Sequence, residues 1–416
     1  MERLTILVVY PYKFTENYYR KFEIEALLER NVNVVVWDTG YWVHRRFMRA
    51  LSAASSERSC VTHIGSLTDL LRAARRPELK KRAEVVAFPV SRPSNLRELI
   101  CLLVIKWRAG TRVEFLNGGI PLAATEPQRR RTTAFRKLAT LVRVLRERGL
   151  AGAAQLAEKS VTRILSAWLS VRPTHRLMGG RSLEELYRKD SESNGIAVVS
   201  GSAWDLSNSL AFPGGEAPKE IGGRYAVLLD GAGPAGASDV ELRGDEQVLT
   251  TERWYPALVE RFDQWERELG IRIVVAGHPK GALGEHPAAF GGRRVYYGQT
   301  EELVKHSEFV ITRFSAAVGY AVIYNKPIVC IYNEQMRADA TTFRYLQEAT
   351  RTLGVTPINV DDPPSSIAQY LSVNKDLYRR YTADYLTTFV DPKPNYRVIL
   401  EDIMGQGSSE SDRWRE

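Results

Sequence analysis

The chain alternates between short apolar runs with strand character and longer stretches whose apolar residues recur at helical spacing. Strands separated by helices are typical of parallel sheets, so the predicted fold class is α/β. The strands are predicted at 4–10, 32–38, 85–90, 112–117, 174–180, 196–202, 225–231, 271–277, 309–313, 327–332 and 356–360. The helices are predicted at 16–30, 96–107, 253–269, 301–306, 315–324, 340–352, 364–389 and 395–404.

A stretch rich in Gly and Pro at 211–222 separates two such series and predicts a linker. A chain of 416 residues is long enough for two domains. We therefore expect two Rossmann-like domains that face a cleft. The predicted parts are a first domain at 1–210 with a basic helical insertion at about 128–170, a second domain at 223–390, and a C-terminal helix with a disordered tail at 391–416.

The composition is that of an ordinary globular protein, with 44% hydrophobic and 26% charged residues. Cys60, Cys101 and Cys330 show no metal-binding spacing, which fits a reducing compartment. The first residues lack the layout of a signal peptide, and no apolar stretch is long enough for a transmembrane helix. We expect a cytoplasmic protein.

The formal net charge of +9 is spread unevenly. Segment 129–163 holds ten Lys and Arg residues but only two Glu, and its apolar residues recur at helical spacing. Such a helix can pack on the domain with a solvated basic face, or it can lie on an anionic membrane surface. No zinc-finger, RNP-like or helix-turn-helix signature accompanies the charge, so a nucleic-acid partner is not expected.

Two polar positions follow predicted strands in the second half. His278 and Pro279 follow the strand at 271–277 and precede Lys280. Ser315 and Ala316 follow the strand at 309–313 and open a helix of small residues. Strand ends and helix N-termini favour phosphates, and an imidazole there can donate to a phosphate or protonate a leaving oxygen. The structural alternatives are a turn histidine and an ordinary N-cap serine.

Further candidates for donor binding lie close to these two positions. Gly298 and Thr300 precede Glu301, which either stabilises the first turn of a helix or faces a ribose hydroxyl. Arg313 can clamp a phosphate directly. Asp230, which ends a strand before several glycines, belongs either to a hinge loop or to the donor site.

The first half offers candidates for acceptor binding and for a catalytic base. Acceptor contacts are predicted after the first and fourth strands, at Tyr10, Tyr12, Lys13, Asn117 and Gly118. Attack by an acceptor hydroxyl needs a carboxylate or histidine in the cleft. The predicted catalytic groups are Asp38, Glu16 and His278, with Glu23 as a further possible base.

Several pieces of the second half together carry a family resemblance. The His278-Pro279 pair, the run TEELVKHSEFVIT, the helix opened by Ser315 and the run NKPIVCIY resemble the donor half of GT-B glycosyltransferases from bacterial capsule and O-antigen loci. The same layout is found in sialic acid and Kdo transferases that use CMP-sugars, and in glycerophosphotransferases of teichoic acid synthesis. The resemblance spans most of the chain and implies that His278 and Ser315 contact the phosphate or nucleotide of a donor.

The activity implied by this resemblance is glycosyl transfer from a nucleotide-activated donor, with a CMP-sugar favoured, to a surface polysaccharide or lipid-linked acceptor. The first domain would bind the acceptor and the second the donor, which is a substrate, so no cofactor is expected. No DxD-type metal site is evident, which fits metal-independent chemistry. The acceptor would bring the protein to the inner membrane face. The alternatives are glycerophosphotransfer from a CDP-alcohol and a non-catalytic sugar-nucleotide-binding assembly protein.

Overall fold

Two parallel sheets organise the protein in the computed structural model, which describes residues 4–45, 48, 55–88, 93, 95–116, 149, 154, 156–231, 233–234, 248–278, 288–313 and 315–405. The first sheet has seven strands and the second has six. Each sheet is built from consecutive strands of one half of the chain, as the alternating pattern predicts.

The first sheet has the strand order β3-β2-β1-β4-β5-β6-β7, and all of its strand pairs are parallel. Its interior strand Thr5–Tyr10 reads TILVVY and is buried along almost its whole length, because helices cover both faces of the sheet. The strands are β1 Thr5–Tyr10, β2 Asn33–Asp38, β3 Val61–His63, β4 Val85–Phe88, β5 Thr111–Leu116, β6 His175–Gly179 and β7 Ala197–Gly201.

The helices around the first sheet alternate with its strands. They are α1 Glu16–Lys21, α2 Ile24–Glu29, α3 Gly40–Val43, α4 Leu67–Ala74, α5 Leu96–Arg108, α6 156–168, α7 Arg181–Ser193 and α8 Trp204–Ala211.

The second sheet has the strand order β10-β9-β8-β11-β12-β13 and is also parallel throughout. Its strands are β8 Tyr225–Leu229, β9 Arg272–Ala276, β10 Val295–Tyr296, β11 Val310–Thr312, β12 Ile328–Tyr332 and β13 Ile358–Asn359. The helices of this half are α9 Thr251–Leu269, α10 Thr300–His306, α11 Val318–Ile323, α12 Glu334–Ala338, α13 Ala340–Leu353 and α14 Lys375–Tyr381, and α15 Asn395–Val398 follows them.

Both sheets contain the order 3-2-1-4-5-6 of a Rossmann fold. In this order the strand sequence reverses between the first and fourth strands, and ligands bind in the crevice beyond the carboxyl ends of those strands. The crevices of this protein therefore lie beyond β1 and β4 in the first domain, and beyond β8 and β11 in the second.

Four predicted helices differ from the observed ones. The segment predicted as one helix at 16–30 forms α1 and α2, because Glu23 between them has a left-handed backbone with φ 52°. The predicted helix at 315–324 begins only at Val318. The segment 364–389 contains α14, which follows an Asn374 cap, and a π-helical turn rather than one long helix. The helix predicted at 395–404 forms α15 and a second π-helical turn, Ile399–Ile403.

The two domains touch through polar contacts and one close helix approach. Arg20 of α1 pairs with Glu301 at 3.1 Å and with Glu302 at 2.8 Å, both in α10. Asp205 of α8 lies so close to Gly319 of α11 that a Cβ there would sit 2.8 Å from its carboxylate oxygen. Because α1 follows the carboxyl end of β1 and α10 follows that of β10, these contacts make the carboxyl edges of the two sheets face each other.

The segment that contains α15 returns to the first domain. Tyr396 and Val398 are buried in the core that covers one face of the first sheet. Glu23 holds this crossing in place, since its carboxylate accepts hydrogen bonds from the Ser207 hydroxyl and, at 2.7 Å, from the Tyr396 amide. The predicted boundaries at 210, 223 and 390 remain predictions. The burial of Tyr396 and Val398 shows that α15 packs against the first domain.

The buried carboxyl group of Asp205, at the contact between α8 and α11, makes the free energy of unfolding depend on pH. Burial raises its pKa to about 7, with Glu301 adding to the shift and Lys21 opposing it. The folded state therefore holds a proton that the unfolded state loses near pH 4, so this contribution to stability is lost as pH rises from about 4 to 7.

We predict that Asp205→Asn removes this loss. The unfolding free energy of the wild type should fall relative to that of the variant by up to about 1.4 kcal/mol per pH unit across this window. Urea denaturation of both proteins at several pH values measures the difference. Parallel stability curves would contradict the assignment.

Candidate functional site

The second domain gathers four side chains at the carboxyl edge of its sheet. Asp230 follows β8, His278 follows β9, Tyr297 follows β10 and Arg313 follows β11. In a parallel sheet with this order these positions are neighbours along one edge. The structure thus brings the predicted residues His278 and Arg313 to the same edge as Asp230. Tyr297, which was not predicted from the sequence, lies at this edge as well.

Arg313 spans the crevice between β8 and β11. Its Nη2 donates to the Gly231 carbonyl at 3.0 Å, and its guanidinium lies 5.7 Å from the ring centre of buried Trp254. Burial lowers the pKa of Arg313, with Asp230 and Tyr255 opposing the shift. Within the described part of the chain, Gly231 is its one hydrogen-bond partner. A guanidinium has five N–H groups, so Arg313 is suited to contact an anion as well.

Asp230 is a buried carboxylate beside this arginine, only 8% exposed. Its Oδ1 accepts from the Gly233 amide at 3.3 Å, whereas its Oδ2 has no hydrogen-bond partner among the described residues. Burial raises its pKa, and the Gly233 amide, Arg313 and the His278 amide oppose that shift. A buried acceptor without a partner is costly, so Oδ2 is suited to a hydroxyl or N–H of a ligand.

Tyr297 forms one wall of the same edge and is half exposed. Its ring lies against Gly277, where a Cβ would sit 2.6 Å from a ring carbon. Burial and the charge of Asp230 raise the pKa of Tyr297. The glycine after β9 thus gives the Tyr297 ring room to reach the crevice. Gly277 and Tyr297 are 20 residues apart in the chain, so no local sequence pattern reveals this contact.

Ser315 occupies a turn that precedes α11. Its amide donates to Thr312 Oγ1 at 3.0 Å, and its hydroxyl accepts from the Ala317 amide at 3.3 Å. Ser315 and Ala316 are partly buried and lie three and two residues before the helix begins. The predicted position at the mouth of the helix is thus shifted by a turn, and the role in donor binding remains a prediction.

The other predicted donor residues fall into two groups. Gly298, with φ 73°, and Thr300, the first residue of α10, lie at the end of β10. Pro279 and Lys280 lie outside the described residues. The contact of each of these residues with a donor stays a prediction.

Glu301 is only 2% exposed and belongs to the domain contact. Its Oε2 pairs with Arg20 at 3.1 Å and its Oε1 accepts from the Tyr324 hydroxyl at 2.7 Å. In the predicted contact with a ribose hydroxyl, the carboxylate oxygens of Glu301 would also keep their bonds to Arg20 of the first domain and Tyr324 of the second.

Aromatic side chains line the carboxyl edge of the first domain. Tyr10 lies 5.7 Å from Tyr12 and 4.2 Å from Tyr18 between ring centres, and Trp204 stacks on Phe115 at 5.2 Å. All five side chains are partly exposed. Such rings offer apolar faces to sugar rings, which fits the predicted acceptor role of Tyr10 and Tyr12. The ammonium group of Lys21 lies 5.1 Å from the Trp204 ring centre and adds a positive charge.

The acceptor roles of the remaining residues, Lys13, Asn117 and Gly118, stay predictions. Lys13 is partly buried in the loop between β1 and α1. Asn117 and Gly118 lie outside the described residues, directly after β5.

Asp38 ends β2 and is completely buried. Its Oδ2 lies 3.0 Å from His63 Nδ1, and its Oδ1 accepts from the Gly40 amide at 3.3 Å. Burial raises its pKa, while the Phe14 and Gly40 amides and His63 oppose the shift. His63 ends β3 and is 46% exposed, so the imidazole is the reachable part of this pair.

The other two predicted bases have different surroundings. Glu16 is 58% exposed, pairs with Arg58 at 3.3 Å and accepts from the Ser56 hydroxyl at 2.6 Å. Glu23 is buried in the crossing of the chain, and burial raises its pKa to about 7. Of the three carboxylates, Asp38 alone orients an exposed histidine at the edge of the sheet.

Among the described residues, no group of His, Cys, Asp or Glu side chains is arranged to hold a metal ion. In the same part of the chain, no helix combines the length and apolar character required to cross a membrane.

Comparison with known proteins shows similarity at the level of structure. No family model matches the chain, and no curated protein sequence matches it. A variant of the wall teichoic acid polymerase TagF matches with a TM-score of 0.55 and 11% identity, covering 98% of this chain and 89% of that chain. A Listeria monocytogenes protein assigned as a UDP-N-acetylglucosamine 2-epimerase matches with a TM-score of 0.52 and 11% identity, covering 97% of both chains.

A third solved structure holds a nucleotide. The S. aureus MnaA–UDP structure has a TM-score of 0.50 and 10% identity to this chain, with 97% of both chains covered. Identities this low show a shared fold and nothing finer. The predicted fold class, two Rossmann-like domains that face a cleft in the GT-B manner, is thereby confirmed.

Proposed function

We propose that the protein is a glycosyltransferase that uses a nucleotide-activated sugar. The observation that carries this proposal is the partly buried Arg313 beside Asp230 at the crevice between β8 and β11. Among the described residues, part of the Arg313 guanidinium and one Asp230 oxygen have no hydrogen-bond partner. A guanidinium fits a phosphate, and a carboxylate oxygen next to it fits a hydroxyl or N–H. A sugar nucleotide offers both chemical groups within one molecule.

The donor phosphate would lie against Arg313, with His278 and Ser315 completing the contact. The positive charge of Arg313 would stabilise the negative charge that develops on the leaving phosphate, and partial burial would strengthen this effect. The MnaA structure shows UDP on a protein of this fold, whereas the sequence resemblance favours a CMP-sugar. Binding of CMP, CDP, UDP and GDP to the protein identifies the donor base.

The acceptor would rest on the aromatic edge of the first domain, with its hydroxyl near His63. In the proposed step the acceptor oxygen attacks the anomeric carbon, and the bond from that carbon to the phosphate oxygen breaks. The leaving nucleotide keeps the bonding electrons, and the hydroxyl proton passes to Nε2 of His63. Asp38 would hold the imidazole through Nδ1 and stabilise its charged form.

Glycerophosphotransfer from a CDP-alcohol is the second candidate. TagF, which shares the fold, is named as a wall teichoic acid polymerase, and Arg313 would serve a diphosphate equally well in that reaction. Product analysis with both donor classes separates the two reactions. A non-catalytic assembly protein would bind the nucleotide but form no product with either donor.

We predict that Arg313→Ala weakens binding of the preferred nucleotide by about 1–3 kcal/mol, the usual effect of a lost charge-assisted phosphate contact. Isothermal titration with CMP, CDP, UDP and GDP identifies that nucleotide and measures the loss. Arg337→Ala is the control, because Arg337 is exposed and pairs only with its helix neighbour Glu334 among the described residues. Equal losses in both variants would contradict a specific site.

We predict that His278→Ala and Ser315→Ala each weaken nucleotide binding or turnover by about 1–3 kcal/mol and leave folding nearly unchanged. The same titrations and a donor-hydrolysis assay measure these effects, and circular dichroism checks the fold. If both variants bind and react as the wild type does, the donor lies elsewhere.

We predict that His63→Gln lowers turnover by about 100-fold to 10,000-fold while nucleotide affinity stays unchanged, because the base acts on the acceptor. Asp38→Asn should lower turnover as well, since it removes the charge that orients the imidazole. Glu16→Gln is the matched control and should react nearly as the wild type does. A large loss in Glu16→Gln with normal His63→Gln activity would assign the base to Glu16 instead.

A further inference from the structure

Two arginines meet at the amino edge of the first sheet, which is the edge opposite the cleft. Arg82 begins a short 3₁₀ helix that leads into β4, and Arg112 is the second residue of β5. Both side chains donate to the carbonyl oxygen of Ala109, from Arg82 Nε at 3.4 Å and from Arg112 Nη1 at 3.3 Å. Because the two donors share one oxygen atom, the two guanidinium groups lie side by side.

Backbone contacts explain how the fold brings these two side chains together. The Gly110 amide donates to the Arg82 carbonyl at 2.7 Å, which ties the start of β5 to the segment before β4. Arg112 is fixed further, since its Nε donates to the Arg172 carbonyl at 3.0 Å and its Nη1 reaches the Gly110 carbonyl at 3.5 Å. A guanidinium has five N–H groups, so Nη2 of Arg112 and the terminal nitrogens of Arg82 are suited to contact an anion as well.

The positive charges of Arg82 and Arg112 repel each other. Among the described residues, neither side chain forms an ion pair with a carboxylate. Glu84, the acid nearest to Arg82 in the chain, pairs instead with Lys81 at 3.9 Å. Burial lowers the pKa of Arg112, and the charge of Arg82 lowers it further. An anion bound between the two groups would replace this repulsion with attraction, and partial burial of Arg112 would strengthen the effect.

The surroundings of the arginine pair are positive as well. Segment 75–82 holds five Lys and Arg residues but only one Glu, and four of the five basic residues are exposed. Arg172 is exposed too, and its guanidinium donates to the side-chain oxygen of Asn194 rather than to an acid. This charge would attract anions to the amino edge of the first sheet. Arg313, by contrast, lies at the carboxyl edge of the second sheet.

We propose that Arg82 and Arg112 bind a doubly charged phosphate group, either as free phosphate or on a phosphorylated sugar. Two guanidinium groups balance two negative charges, and a phosphate monoester carries about −1.5 to −2 at pH 7, whereas a carboxylate carries only one. The planar fork of each guanidinium fits two phosphate oxygens. The site lies outside the cleft and requires neither donor nor acceptor, so it goes beyond the proposed function and does not depend on it.

The test is isothermal titration of the full-length protein with inorganic phosphate and with glucose 6-phosphate, at about pH 7.5 where the phosphate is mostly doubly charged. We expect both ligands to bind, and Arg82→Gln and Arg112→Gln should each weaken binding at least about tenfold, since each removes charge-assisted hydrogen bonds. Tighter binding of glucose 6-phosphate would support a phosphorylated sugar as the ligand, whereas equal binding would support recognition of the phosphate group alone.

Three controls separate this site from misfolding and from the candidate donor site. Arg82 is exposed, so Arg82→Gln should fold as the wild type does, which circular dichroism checks. Arg82→Lys keeps the charge without the fork and should bind more tightly than Arg82→Gln but more weakly than the wild type. Arg313→Ala should keep the binding that both glutamine variants lose. No phosphate binding by the wild type, wild-type affinity in both glutamine variants, or loss of binding in Arg313→Ala instead would overturn the proposal.

Discussion

The arrangement of the molecule depends on the ion pairs that Arg20 makes with Glu301 and Glu302 across the two domains. Glu301 is almost completely buried, so removing Arg20 would leave a buried charge without its partner. The arginine follows the first strand of one sheet and the glutamates open a helix beside the other. This placement keeps the two carboxyl edges opposite each other, and with them the two sets of side chains that the proposed reaction needs.

The two edges differ in chemistry in the way that a transfer reaction requires. The second domain presents Arg313 and Asp230, which suit an anion with a neighbouring hydrogen-bond donor. The first domain presents aromatic rings and an imidazole oriented by buried Asp38, which suit a sugar with a reactive hydroxyl. Neither set alone defines a reaction, because anion sites and aromatic surfaces each occur in many proteins. Their opposition across one cleft supports group transfer between two bound molecules.

Much of the fold follows from local sequence patterns, because apolar runs such as 4–10 and 225–231 become buried interior strands. The edge strands β3 and β10 were not predicted, because none of their residues is buried and they therefore need no apolar run. The break at Glu23 depends on partners 184 and 373 residues away, Ser207 and Tyr396. His63 becomes a candidate only when pairing of β2 with β3 sets it opposite Asp38.

The proposed function requires a nucleotide-activated donor to bind at the carboxyl edge of the second sheet. A crystal structure of the protein with its preferred nucleotide tests this most directly. We expect a phosphate oxygen within hydrogen-bonding distance of the Arg313 guanidinium and a ligand hydroxyl or N–H on Asp230 Oδ2. A nucleotide bound in the first domain, or one that leaves both side chains without contact, would contradict it.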